Sequence, residues 1–206
     1  MKLRRYFLLF AIVVALSAAS GVGATTVQGA AQFIRQLGDK AVATLQAPNL
    51  TLDQREARFR GLLAEGFDLA FIGRFVLGRY WRAASPEQQS DYLELFSEFV
   101  VQIYSTRFGG YVGQTLTITG GREAGDKDAI VRTRIDRPSG PPIVADWRVR
   151  ITGDRYRIID VMVEGISMAV TQRAEFASVV QRDGIEGLIA VLRARTTKMP
   201  ATASIN

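Results

Sequence analysis

Cysteine and histidine are both missing from this 206-residue sequence. Without cysteine there is no disulfide framework, no thiolate metal site, no thiol nucleophile and no c-type haem attachment, so the fold must be held by its apolar core. Without histidine the commonest general base and the usual zinc ligand are gone, and with them every serine-histidine triad. Any catalysis would have to run on carboxylates, lysine, tyrosine or arginine. Lys and Arg outnumber Asp and Glu by 26 to 20, but the basic residues are scattered, with Arg132, Arg134 and Arg137 the nearest thing to a cluster. Nucleic-acid binding asks for a concentrated basic stripe, so the charge pattern argues against it. There is no internal repeat.

A nearly pure apolar run occurs at the start. Lys2, Arg4 and Arg5 precede the stretch Tyr6 to Leu16, and small residues follow, with a small-x-small site at Val22-Gly23-Ala24. That order describes a secretory signal peptide over residues 1–24, and the run is short for crossing a bilayer. The expectation is an exported chain with one domain over residues 25–196, large enough to build a core without disulfides. The polar, small residues 197–206 read as a disordered tail.

Helical spacing runs from Thr25 to Gln46, and a second helix follows the cap Thr51-Leu52-Asp53-Gln54 as far as Gly66. A third covers Phe67 to Leu77, with Phe67, Phe71 and Phe75 four residues apart on one face. Gly78 suits a left-handed cap. Ser85-Pro86-Glu87-Gln88 is a capping box with proline at the first helical position, and the helix it opens runs to about Tyr111 with a broad apolar face. From Thr115 the period changes to that of strands: Leu116–Thr119, Ala129–Asp136, Ile143–Ile151 and Tyr156–Val163, joined by turn-type residues. Val131, Thr133, Ile135, Trp147 and Val149 face one way; Arg132, Arg134, Arg148 and Arg150 face the other. The strand Ile158–Val163 bends at Gly165, beside a carboxylate, Glu164, expected to be buried as either a catalytic acid or a structural pin. Two closing helices, Ser167–Gln181 and Ile185–Arg195, meet at Asp183-Gly184. The result is an α+β domain in which a four-stranded antiparallel meander is covered on its apolar face by about six helices, the long aromatic one foremost.

Several stretches together resemble the phospholipid-binding component of the Mla lipid-transport system, also known as the toluene-tolerance family. They are Phe67-Asp68-Leu69, Val76 to Trp81, Ser85-Pro86-Glu87-Gln88-Gln89, Val131-Arg132-Thr133, Asp160-Val161, Val163 to Ser167, Gln172-Arg173 with Phe176, and Gly184 to Ile189. Leu69 departs from a usual phenylalanine and Trp147 from a usual tyrosine, and both remain apolar or aromatic. The resemblance implies an NTF2-like, cone-shaped sheet wrapped by helices around an apolar cavity. It also implies a monomeric carrier with no cofactor and no metal, moving phospholipid between an outer-membrane lipoprotein complex and an inner-membrane ABC transporter. A sister branch of the family is associated with hopanoids, which would make hopanoid the alternative ligand.

The physics suits such a carrier. A two-chain phospholipid hides on the order of 30 methylenes, so exposing them to water costs about 20 kcal/mol or more. The candidate cavity lining is Phe71, Phe75, Phe96, Phe99, Val100, Tyr104, Val131, Trp147, Val149, Val161, Val163, Ile166 and Met168, each of which could equally be ordinary core. Asp68, Arg79, Asp160, Glu164 and Arg173 read as buried or half-buried polar pins fixing helices to sheet, with Arg173 pairing Asp160 or Glu164. Two other classes stay open: an enzyme using Asp160 or Glu164 beside Tyr104 for proton abstraction, and a solid-cored interaction protein.

Overall fold

The computed structural model describes residues 22–46, 51–107, 113–152 and 155–197. Residues 1–21 of the proposed leader, the end of the aromatic helix beyond residue 107 and residues 198–206 of the proposed tail lie outside them; residues 22–24 begin α1 and Thr197 ends α5. Among the described residues the order is α1 (Val22–Gln46), α2 (Leu52–Gly66), α3 (Leu69–Leu77), a 3-10 turn (Gly78–Arg82), α4 (Pro86–Arg107), β1 (Thr115–Glu123), β2 (Asp128–Asp136), β3 (Ile143–Thr152), β4 (Arg155–Val163), β5 (Ile166–Ser167) and α5 (Met168–Thr197).

The sheet is an antiparallel meander in the order β1-β2-β3-β4-β5. It has five strands where four were expected. The fifth is two residues long, and its hairpin loop is Glu164-Gly165, both at positive φ, 50° and 80°. Positive φ at both central residues is what a two-residue turn matched to strand twist requires. The closing helices form one element with a break at Gly184, whose φ is 73°.

Local chemistry explains the helix starts. Thr51 and Gln54 cap α2 reciprocally, and Ser85 and Gln88 do the same ahead of α4, with backbone-to-side-chain hydrogen bonds of 2.9 to 3.2 Å. α3 begins two residues later than its phenylalanine spacing suggested. Phe67 leaves the helical path and forms a parallel bridge to Ile158, while the Asp68 N–H donates to the Ile158 carbonyl at 3.0 Å. Phe67 is therefore an extra edge residue beside β4, and pairing outweighed the i, i+4 pattern.

Two apolar clusters hold the molecule. In the helical one, Tyr92, Phe96 and Phe99 of α4 gather around Phe176 of α5, with ring centroids 5.8 to 6.3 Å apart, together with Val76, Leu77, Leu188 and Leu192. In the other, Ala30 and Ile34 of α1 pack on Ala129, Val131, Val149 and Ile158 of the sheet. The apolar face is thus covered by α1 rather than by the aromatic helix, which packs against α2, α3 and α5. The opposite face is covered at one end only. β2 is buried on both faces from Asp128 to Val131 and then alternates buried and exposed. Ile130 and Ile159, both buried, belong to neither cluster.

Candidate functional site: a groove where the two layers meet

Gly66 ends α2 against α1; a Cβ there would meet a Leu37 methyl at 2.6 Å. The chain then extends through Phe67 along Ile158 of β4 and turns into α3 at Asp68, whose carboxylate accepts the Phe71 N–H at 2.9 Å. This corner sets the first turn of α3 beside the start of β4. A groove of about 560 Å³ opens there, lined by Ala64, Phe67, Asp68, Leu69, Ala70, Arg155 and Arg157, a volume in the range of small-ligand sites.

Arg155 and Arg157 are two apart on a strand, so both point to the groove side. Tyr156 between them points to the other side and stacks on Phe33 of α1 at 5.9 Å. Arg157 donates to the Tyr156 carbonyl at 3.2 Å. Among the described residues neither arginine has a carboxylate partner, and the single carboxylate in the groove, Asp68, is committed to its helix cap. The balance of charge in the groove is positive.

Behind the groove α3 belongs to the helical cluster through Val76 and Leu77 and meets the sheet at β4. Phe71, half-buried, carries the Arg150 guanidinium 4.5 Å above its ring. Arg150 and Arg148 both hold Asp128 at 2.7 Å. Burial pushes the Asp128 carboxyl up, but hydrogen bonds from Arg150 and Arg148, and their charge, outweigh it and hold the group below the usual carboxylate range. Such a site can bind an anion beside an apolar wall. Among the described residues no three His, Cys, Asp or Glu side chains are grouped to hold a metal ion.

The candidate lining residues do not share one surface. Phe96, Phe99 and Val100 belong to the helical cluster, and Val131, Trp147, Val149 and Val161 to the sheet cluster beneath α1. Tyr104, Val163 and Met168 are half-buried. Phe75 is 36 % exposed and Ile166 60 % exposed. α1 lies over the apolar sheet face while α4 packs against α2, α3 and α5, so the candidates divide between two layers.

Among the candidate pins, Asp68 and Asp160 serve as helix-start acceptors. Asp160 takes the Ser167 hydroxyl at 2.6 Å and the Ala169 N–H at 3.2 Å, which fixes the first turn of α5. Glu164 is exposed rather than buried, and accepts the Val144 N–H at 2.8 Å. Arg173 pairs with neither carboxylate; it is exposed and lies over Phe75 at 5.2 Å. Arg79 is exposed and donates to the Tyr80 hydroxyl at 2.9 Å. Sequence reading missed Ala64, Ala70, Arg155 and Arg157. A signal for the arginines was present, since they alternate with Tyr156 on a strand whose other face is apolar.

Four matches to known proteins bear on the family and the fold. The family described as MlaC protein matches residues 35–194. The intermembrane phospholipid transport system binding protein MlaC of Haemophilus influenzae is 26% identical over 180 residues, covering 84% of this chain and 81% of its own length. Toluene tolerance protein ttg2D of Pseudomonas putida is 26% identical over 106 residues, covering 52% of this chain and 49% of its own. A phospholipid-binding protein from Ralstonia solanacearum, solved in complex with a phospholipid, superposes with a TM-score of 0.74 at 24% identity, over 82% of this chain and 97% of that one. This last likeness establishes the α+β fold.

Proposed function

The chain belongs to the MlaC family, and from that premise we propose that it is a periplasmic phospholipid carrier, exported by the leader 1–24 and folded over residues 25–196 as one lipid-binding domain. The observation that carries this reading is the divided core. A domain usually has one contiguous hydrophobic core, whereas here the described residues form two clusters, and a positively charged groove opens where the start of α3 meets β4. The lipid phosphate sits at Arg155 and Arg157. The acyl chains enter between the layers, parting the contacts of α3, with Phe71, Phe75, Phe96, Phe99, Val100, Tyr104 and Met168 on the helical side. Val131, Trp147, Val149, Val161, Val163 and Ile166 serve the sheet side, in a sheet of NTF2-like shape.

The name of the Haemophilus relative, an intermembrane phospholipid transport system binding protein, supports a place between two membranes; the proposal puts an outer-membrane lipoprotein complex at one end, an inner-membrane ABC transporter at the other, and a monomer between them. Solvent extraction of protein purified from the periplasm, followed by mass spectrometry, tests the reading. Phospholipid should be recovered at close to one molecule per chain; hopanoid instead would change the ligand class, and lipid-free protein would overturn the proposal. Ala70→Trp places an indole in the groove at an exposed helical position. It should cut lipid recovery several-fold without a change in fold by circular dichroism, and unchanged recovery would move the head group elsewhere.

A further inference from the structure

A second surface lies at the other end of α3, roughly 13 Å from the groove by the rise of a nine-residue helix. Ile166 is 60 % exposed, Val170 55 % and Phe75 36 %. Ile166 follows the hairpin turn, and Val170 stands one helical turn further on, at the start of α5. Arg173, another turn along, lays its guanidinium over Phe75 and against Gly78, where a Cβ would come within 2.8 Å of Nε. The apolar side chains and Arg173 therefore follow one another across the start of α5 and the end of α3. Arg74, Arg79 and Arg82 are exposed along that end of α3 and its 3-10 turn. Among the described residues none of these four arginines has a carboxylate partner. Two carboxylates near in sequence already have donors: Glu164 accepts the Val144 N–H, and Glu175 accepts from the Gln172 amide at 2.9 Å.

We propose that this surface docks the protein on the anionic head-group layer of a phospholipid bilayer. Ile166 and Val170 dip below the phosphates, and Arg74, Arg79, Arg82 and Arg173 meet them. Exposed apolar side chains with unpaired cations on the neighbouring elements are the pattern of an interfacial membrane contact. A protein partner would need a pocket shaped to the convex hairpin, whereas a head-group layer needs only apolar tips flanked by positive charge. Ile166 and Phe75 also stand among the lining residues proposed above, so the variants that test docking leave both in place.

The test is flotation of the mature chain with vesicles of phosphatidylglycerol and phosphatidylcholine, beside vesicles of phosphatidylcholine alone. The wild type should float with the anionic vesicles at low salt, be released at high salt and ignore the neutral ones. The variant Val170→Asp and the double variant Arg79→Glu/Arg82→Glu, all at exposed positions, should each bind about tenfold more weakly. Their lipid content by mass spectrometry should stay at the wild-type level, which separates this surface from the carrying site. A wild type that fails to float with anionic vesicles, or variants that float as well as it does, overturns the proposal. So does a wild type that ignores vesicles but is captured by the detergent-solubilised inner-membrane complex, which would make the patch a protein interface.

Discussion

Asp128 is 3 % exposed and holds two guanidiniums, which makes it a sensitive residue for folding. Its folded pKa lies below the unfolded value of about 3.9. The stabilisation it supplies is therefore complete above about pH 4 and is lost as pH falls through the folded value. Asp146 acts in the same direction: the hydrogen bond from Arg132 lowers it most, burial opposes, and the charges of Arg132 and Arg122 add to the lowering. The urea midpoint should hold level from pH 7 to about pH 5 as far as these two groups are concerned, and drop in more acid solution. Asp128→Asn should lower stability at pH 7 by about 1–3 kcal/mol, because the arginines lose their counter-charge yet still reach water. It should also flatten the acid limb, and an unchanged limb would refute the assignment. Tyr92 is fully buried, its hydroxyl donating to the Gly73 carbonyl at 2.9 Å, and burial pushes its phenol far above the ordinary range. Tyr92→Phe should cost about 1 kcal/mol in chemical denaturation. Val131→Arg132 and Trp147→Arg148 alternation was legible because a strand's period is strict. The partners of Glu164 and Arg173 were not, since long side chains choose among several neighbours that sequence does not place.

The caps of α2 and α4 were readable because Thr51-Gln54 and Ser85-Gln88 act over three residues. α3 shows where local reading stops: the i, i+4 phenylalanines extended the helix on paper to Phe67, but pairing with Ile158 claimed that residue. At its other end Gly78 has φ 61° and ψ −127°, the mirror image of extended backbone rather than the left-handed helical well. Only glycine takes this conformation without strain, and a Cβ would also press on Arg173. Gly78→Ala should therefore destabilise by about 1–3 kcal/mol, a fall of a few degrees in thermal midpoint, and a neutral outcome would mean the α3 turn relaxes freely. The fifth strand escaped notice because two residues carry no periodicity.

For the whole molecule, a carrier loaded with lipid is stabilised by mass action, by about 2.7 kcal/mol when free ligand stands at a hundred times its Kd. Stripping lipid and refolding should lower the thermal midpoint by roughly 5–10 °C, restored by adding phospholipid below its own vesicle-forming range; identical midpoints would argue for a solid core. The element order, the antiparallel meander, the two-faced strands and the family were determined by the sequence alone, because caps, turns and periods act over a few residues. Which helix covers which face was decided only in three dimensions: α1 and α4 both carry apolar stripes, and nothing local says that Ala30 and Ile34 will fit on Val131 and Val149 while Phe96 and Phe99 turn to Phe176. The same is true of the groove, where Ala64 and Ala70 meet Arg155 and Arg157 because Phe67 pairs with a strand far along the chain. Packing chooses among faces that are equally greasy in one dimension, and it chooses by shape.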